Sequence, residues 1–164
     1  MTPQDAKTIA DYLVADLQQE IPTTVNVIKA APEGGSTYTP DEKSMTGIAL
    51  IRHLVAIDAW FLNSIANGSF DGSAIDPMES LTSPAEAGLK YNTLVSEALA
   101  RVSAMSPEQL AGEIDFFGLM KPPAASLLGM MIKHSVHHRG QLSTYLRPMG
   151  GKVPSIYGSS ADTK

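Results

Sequence analysis

The chain has 164 residues, which suffices for one domain with a substantial apolar core. A net charge of −5 without blocks of like charge argues against a nucleic-acid partner, and the absence of cysteine excludes disulfides, thiolate ligands and a cysteine nucleophile. The N-terminus lacks the pattern of a signal peptide and no apolar run is long enough to span a bilayer, so a cytoplasmic protein without a membrane partner is expected.

The first two helices are predicted from apolar residues that recur every three or four positions. The first helix runs from about residue 4 to 29, and Pro22 predicts a kink or a split in two. The second runs from about 45 to 66, with Ser44 as its N-cap and Gly68 just past its end. The predicted inward residues are Ile9, Leu13, Leu17, Ile21, Thr24 and Ile28 on the first helix, and Leu50, Leu54, Ile57, Phe61 and Ile65 on the second.

Two more long helices follow in the second half of the chain. The third opens with SPAE at 83–86, a capping-box pattern with proline at the first helical position. A further turn is predicted at 106–109, and EIDFFG at 113–118 fits a short extended piece or a turn. The fourth helix starts at Pro122-Pro123 and ends near Arg147.

Four long helices joined by long loops predict an all-α fold, a four-helix bundle that buries four apolar stripes together. Residues 1–164 are expected to form a single domain of this kind. Residues 150–164 are rich in Pro, Gly and Ser and are predicted to form an irregular C-terminal tail.

Three of the four histidines lie in KHSVHHRGQL at 133–142. At about 100° per residue, His138 falls roughly 20° and His134 roughly 60° from Met131, a member of the apolar stripe. His137 falls roughly 120° away, at the edge of this stripe. His134 and His138 therefore form an i, i+4 pair on the inward side, where two imidazoles can share an ion. Pairing of His134 with His137 would instead direct an ion away from the core.

His53 gives an independent indication, because it lies roughly 60° from Leu50 on the inward side of the second helix. Several imidazoles in an apolar bundle are costly unless a cation or hydrogen bonds satisfy them. The predicted metal ligands are therefore His53, His134 and His138. A metal-free bundle with hydrogen-bonded core histidines is the simpler alternative.

Three more side chains are candidates near this site. Gln141 lies on the same side as His138 and could hydrogen-bond a ligand imidazole or a bound water, or be a half-buried amide. Glu20 falls in the inward phase of the first helix and could be a fourth ligand or general base, or a surface carboxylate. Arg139 is predicted to form a helix–helix or tail salt bridge rather than to act in catalysis.

The second and fourth helices also carry apolar residues away from their inward stripes. These are Ile48, Ile51, Val55 and Leu62 on the second helix, and Met130, Ile132 and Val136 on the fourth. Because a helix that is apolar on both sides is usually buried on both sides, we predict a homodimer packed through the backs of these helices. Gly129 and Gly140 would allow close approach there.

Two passages resemble the DinB/YfiT-like superfamily of bacterial four-helix-bundle metalloproteins. They are KSMTGIALIRHLVAIDAWFLNSIANG at 43–68 and HSVHHRGQLSTYLRPMGGKVPSIYG at 134–158. Matched residue by residue, the resemblance implies a divalent ion held by His53, His134 and His138. Several members look like homodimers, and the superfamily includes metal-dependent S-transferases that use low-molecular-weight thiols. The resemblance therefore implies a small-molecule substrate of this class.

Three neutral imidazoles leave a divalent ion with its full charge and at least one open position. Zinc, nickel, iron and copper suit nitrogen ligands, whereas calcium and magnesium do not. Such an ion can lower the pKa of a bound thiol or water towards neutrality. The predicted function is a divalent-metal-dependent transferase or hydrolase that activates a thiol or water nucleophile. The alternative is a non-catalytic metal-binding or stress-response protein with a structural ion.

Overall fold

The computed structural model, which describes residues 1–164, contains five α-helices and two short 3-10 helices at Glu33–Gly35 and Gly72–Ala74. The α-helices are α1 (Pro3–Lys29), α2 (Gly47–Asn67), α3 (Pro84–Ser103), α4 (Pro107–Ala111) and α5 (Ala124–Leu146). The segment between α4 and α5 is held by two isolated β-bridges, Glu113 with Pro123 and Phe116 with Met120, and the chain has no β-strand. The predicted all-α bundle is confirmed, and α4 is the further turn expected after the third helix.

The four long helices form a ring in which each helix packs on two others. Both α1 and α2 contact α3 and α5, so α1 and α2 lie diagonally across the bundle. The short α4 packs on α1 and α5. A single cluster of 38 buried hydrophobic residues fills the interior. The sequence's second and fourth predicted helices, α2 and α5, are therefore direct neighbours.

The first helix differs from its prediction in two respects. It is continuous through Pro22, which excludes the split, one of the two predicted alternatives, while the kink stays a prediction. Pro22 lies on the exposed side, and buried residues before and after it hold the helix on the bundle. Ile9 is 38% exposed and Leu13 is only partly buried, because Ala6 and Ala10 face the core instead. The sequence pattern favoured the larger side chains of Ile9 and Leu13 as inward residues, although the small Ala6 and Ala10 are the ones that face the core.

The N-cap of α2 is Thr46 and not Ser44. The backbone N–H of Ala49 donates to Thr46 Oγ1 at 3.3 Å, as a helix N-cap requires. The hydroxyl of Ser44 instead donates to Asp41 Oδ2 at 2.7 Å, within the preceding turn. Gly68 ends the helix as predicted, with a left-handed φ of 72° that favours glycine.

The apolar character of α2 has an explanation within the fold. By length and composition alone α2 could cross a membrane, so the expectation that no run is long enough was wrong. In the bundle, however, 61% of its most apolar window is buried. A core helix between two neighbours has this composition, which makes the hydropathy of α2 weak evidence for a membrane span.

Part of the surface from which a homodimer was predicted is covered by the chain itself. Ile51, Val55 and Leu62 are fully buried within the bundle. The other members of the set are only partly buried: Ile48, Met130, Ile132 and Val136. The homodimer stays a prediction, and it now depends on these remaining side chains.

Residues 151–164 contain no helix or strand. They begin at Gly151, whose N–H donates to the carbonyl oxygen of Leu146 at 2.8 Å. A Cβ atom placed on Gly151 would lie 2.6 Å from the carbonyl oxygen of Ala30 and 3.1 Å from Cδ of Pro32. The tail therefore leaves α5 in backbone contact with the end of α1.

We expect Gly151→Ala to lower the free energy of unfolding by about 1–3 kcal/mol, because the added methyl group meets a backbone carbonyl that cannot rotate away. Urea denaturation followed by circular dichroism measures this. Gly158→Ala is the matched control, since a Cβ there meets nothing within 4 Å. Equal stability of the two variants would contradict the close contact between the tail and α1.

Candidate metal centre

The imidazoles of His53, His134 and His138 meet between α2 and α5. Nε2 of His53 lies 3.1 Å from Nε2 of His134 and 3.2 Å from Nε2 of His138. One ligand nitrogen from each of the three residues lies within 4.8 Å of the others, and all three side chains are partly buried. The structure thus brings together the three histidines that helical phase selected.

The geometry and the hydrogen bonds of these rings fit a cation. Nδ1 of His134 faces Asp58 Oδ1 at 3.0 Å, and Nδ1 of His138 faces Gln141 Oε1 at 3.1 Å. A proton on each Nδ1 leaves each Nε2 as a lone pair directed at His53. Ligands of a tetrahedral zinc ion are separated by about 3.3 Å when each Zn–N bond is about 2.0–2.1 Å. Three nitrogens with at most one proton among them are therefore arranged as a single cation would require.

The surroundings of His53 and His138 favour the neutral form of imidazole that binds metals. Burial, together with the nearby rings of His138 and His134, lowers the pKa of His53 to about 4. Burial also lowers the pKa of His138. Because ligand imidazoles must be deprotonated, these shifts keep lone pairs available at neutral pH.

Asp58 is a site residue that the sequence pattern did not identify. Its side chain is fully buried and accepts hydrogen bonds from His134 Nδ1 at 3.0 Å and from the hydroxyl of Tyr91 at 2.8 Å. That hydroxyl also lies 3.2 Å from Ser135 Oγ, and burial raises the pKa of Tyr91 well above its usual value. Asp58 is the lone acidic residue of α2 and falls four residues after Leu54 in the inward stripe. An acidic residue on the inward side of α2 was the feature of the sequence from which this role could have been predicted.

Gln141 is placed beside the predicted ligand His138. Its Oε1 accepts from His138 Nδ1, and its Nε2 donates to the hydroxyl of Tyr145 at 3.3 Å. Because the amide makes both contacts, it fixes the orientation of the His138 ring. His137 is exposed and lies outside the ligand group, as its phase indicated.

Glu20 does not reach the histidines. Its carboxylate forms an ion pair with the guanidinium of Arg139 and accepts from the hydroxyl of Tyr157 at 3.0 Å. Arg139 is nearly fully buried and also donates to Thr24 Oγ1 at 3.2 Å. Glu20, which was a candidate for a fourth ligand or general base, is thus the ion-pair partner of Arg139. Arg139 requires this counter-charge because its guanidinium is buried. Arg139 forms the helix–helix salt bridge, one of the two alternatives predicted for it, and its contact with the tail is a hydrogen bond to the hydroxyl of Tyr157.

A cavity of about 330 Å³ lies against His53 on the side of the loop that follows α2. Its walls are mostly apolar and include Ile57 of α2 and Ile75 and Pro77 of the loop. Arg52 also lines it, and its guanidinium donates to backbone carbonyl oxygens of the same loop. This cavity is large enough for part of a small organic molecule next to one of the three imidazoles.

Comparison with known proteins matches nearly the whole chain to one family. The model of the DinB family matches residues 4–163. The chain is 30% identical over 119 residues to the protein YjoA of Bacillus subtilis (strain 168), described as uncharacterized, which covers 70% of this chain and 73% of YjoA. It is also 42% identical over 53 residues to YrdA of the same strain, likewise described as uncharacterized, over 32% of this chain and 31% of YrdA.

Solved structures share the fold. The crystal structure of the DinB-like protein YjoA from Bacillus subtilis aligns with a TM-score of 0.74 at 24% identity, covering 90% of this chain and 99% of that one. The crystal structure of a DinB-like protein from Bacillus cereus ATCC 10987 aligns with a TM-score of 0.72 at 24% identity, covering 88% and 95%. At this identity the likeness establishes the helical bundle alone.

Proposed function

The chain belongs to the DinB family, and from its three converging imidazoles we propose that it is a divalent-metal-dependent enzyme. The ion would be held by His53, His134 and His138. The reaction would be attack of an activated thiol or water on an electrophile, as in an S-transferase or a hydrolase. A low-molecular-weight thiol is the proposed small-molecule substrate.

The observation that carries the proposal is the donor set. Three imidazoles present ligand atoms to one point, and no carboxylate joins the group. Asp58 contacts the opposite edge of the His134 ring, and Glu20 is paired with Arg139. Structural zinc sites have four protein ligands, whereas catalytic sites have three and an open position. The arrangement supports catalysis over a structural clip, with zinc, nickel, iron or copper as suitable ions.

A divalent ion in this site would supply Lewis acidity that lowers the pKa of a thiol or water at the open position. Asp58 and Gln141 would keep the rings of His134 and His138 from turning, and the cavity beside His53 would hold an apolar part of the electrophile. In the transfer, a bond forms between the thiol sulfur and the electrophilic carbon. The leaving group departs with the bonding electrons, and the thiol proton passes to solvent.

The test is turnover by protein loaded with zinc, nickel or iron. We expect reaction of a small thiol with an activated aryl halide, or hydrolysis of an activated ester, above the uncatalysed rate. Chelation should abolish turnover. Added ion should restore it, because the three ligand imidazoles stay in place and can bind the ion again. His138→Ala should not be restored by added ion, whereas His137→Ala should behave as the parent protein.

Inactivity of the metal-loaded protein with every thiol and ester would contradict the enzyme proposal. If the ion nevertheless raised the unfolding temperature, the non-catalytic alternative with a structural ion would replace it. The homodimer through α2 and α5 and the cytoplasmic location remain separate proposals. Sedimentation that finds a monomer at micromolar concentration would contradict the homodimer.

A further inference from the structure

We propose that Asp58 is a positioning residue of the metal centre. It fixes the ring of His134 with Nε2 facing the other ligands, and it supplies the negative charge that a divalent ion lacks among three neutral imidazoles. This inference rests on the metal site of the proposed function. It assigns a role to a side chain outside the ligand set.

The first support is a hydrogen-bond network that joins three helices. Asp58 on α2 accepts from Tyr91 on α3 at 2.8 Å and from His134 on α5 at 3.0 Å. Tyr91 in turn lies 3.2 Å from Ser135, the residue after His134. Both carboxylate oxygens are used, since Tyr91 bonds Oδ2 and His134 bonds Oδ1. The His134 ring therefore has a fixed tautomer and orientation before any ion binds.

The second support is the charge of the carboxylate. Asp58 has no exposed surface, and none of the salt bridges of the chain joins it to a lysine or arginine. Among the salt bridges of the chain, its one partner is His134. A buried carboxylate is costly unless a cation lies close by. A divalent ion on the opposite edge of the His134 ring would provide that charge through the ligand.

The partners of His134 and His138 offer a matched comparison. Each ring donates its Nδ1–H to a side-chain oxygen, but Asp58 carries a charge and Gln141 does not. Gln141 is partly buried and Asp58 is fully buried. A substitution can therefore remove the charge from the partner of His134, and another can add a charge to the partner of His138, while both hydrogen bonds are kept.

The experiment measures the zinc affinity of the full-length protein by competition with a chelating dye. Asp58→Asn keeps an acceptor for His134 and is expected to raise the Kd about 10–100-fold. Gln141→Glu is expected to lower the Kd, and the double variant is expected to recover most of the loss. Tyr91→Phe keeps the charge and should weaken zinc binding less than Asp58→Asn. Thermal unfolding of each metal-free variant reports whether it is folded.

Two results would overturn the inference: unchanged zinc affinity in Asp58→Asn, or a loss that Gln141→Glu does not reverse. A purely structural role for Asp58 predicts the second result, because a new charge on His138 cannot repair a core defect. If Asp58→Asn does not fold, Gln141→Glu alone decides, and an unchanged affinity counts against the role of charge. If the parent protein itself binds no divalent ion, the proposed function fails, whatever the variants do.

Discussion

Replacement of His134 by alanine is expected to abolish tight binding of a divalent ion, with a loss of affinity well above 100-fold. Loss of a partner behind a ligand already costs about 10–100-fold, and loss of the ligand removes a bond to the ion itself. His53→Ala and His138→Ala should have the same effect, because each histidine supplies one of the three converging nitrogens. Elemental analysis and zinc competition measure this result.

His137→Ala is the control for this prediction. His137 is the same residue type on the same helix, but it is exposed and lies outside the ligand group. We expect it to retain the ion content of the parent protein. Loss of the ion in His137→Ala with retention in His138→Ala would place the site on the other side of α5, on the pair His134 and His137.

The second large effect is expected on stability. Glu20→Ala should lower the free energy of unfolding by about 3 kcal/mol, because it leaves the charge of Arg139 buried without its partner. The Arg139 side chain is 2% exposed and the Glu20 side chain 14% exposed. Urea denaturation of the metal-free protein measures the loss. Asp11→Ala, which breaks the exposed pair with Lys7, should cost less than about 1 kcal/mol.

Replacing both partners separates charge burial from packing. The double variant Glu20→Leu/Arg139→Met removes both charges and is expected to regain most of the lost stability. Zinc affinity of Glu20→Ala should equal that of the parent protein, since this carboxylate is committed to Arg139 and Tyr157. A loss of affinity would return Glu20 to the role of ligand or base. A stability cost no larger than that of Asp11→Ala would contradict the buried ion pair.

The position of the histidines was predictable because helical phase is set by the backbone alone. His134 and His138 lie one turn apart, so their relation holds wherever α5 packs. Burial of His53 depended only on its place in the apolar stripe of α2. Ser83 was recognisable as the N-cap of α3, and its Oγ accepts from the N–H of Glu86, although the reciprocal bond of the predicted capping box does not form. Local geometry decided each of these features.

Features that depend on contacts between helices were not predictable in the same way. Nothing in the sequence of α2 states which side chain meets Asp58, because its partners come from α3 and α5. Glu20 had the correct phase to face inward, but the buried Arg139 occupies its carboxylate. The competition between Thr46 and Ser44 for the start of α2 was decided by Asp41, which holds Ser44 in a turn. Which side chains pair with one another depends on how the helices pack in the folded protein.

Two adjacent residues of α5, His138 and Arg139, point to different neighbours. His138 is directed at His53 of α2, while Arg139 is anchored to Glu20 of α1. Rolling α5 about its axis to move His138 relative to His53 would pull Arg139 out of its ion pair. Polar contacts on two sides of α5 thus fix its rotation about its own axis. The packing of the helices consequently sets the distances between the three ligand nitrogens. An ion whose radius does not match these distances is expected to bind more weakly.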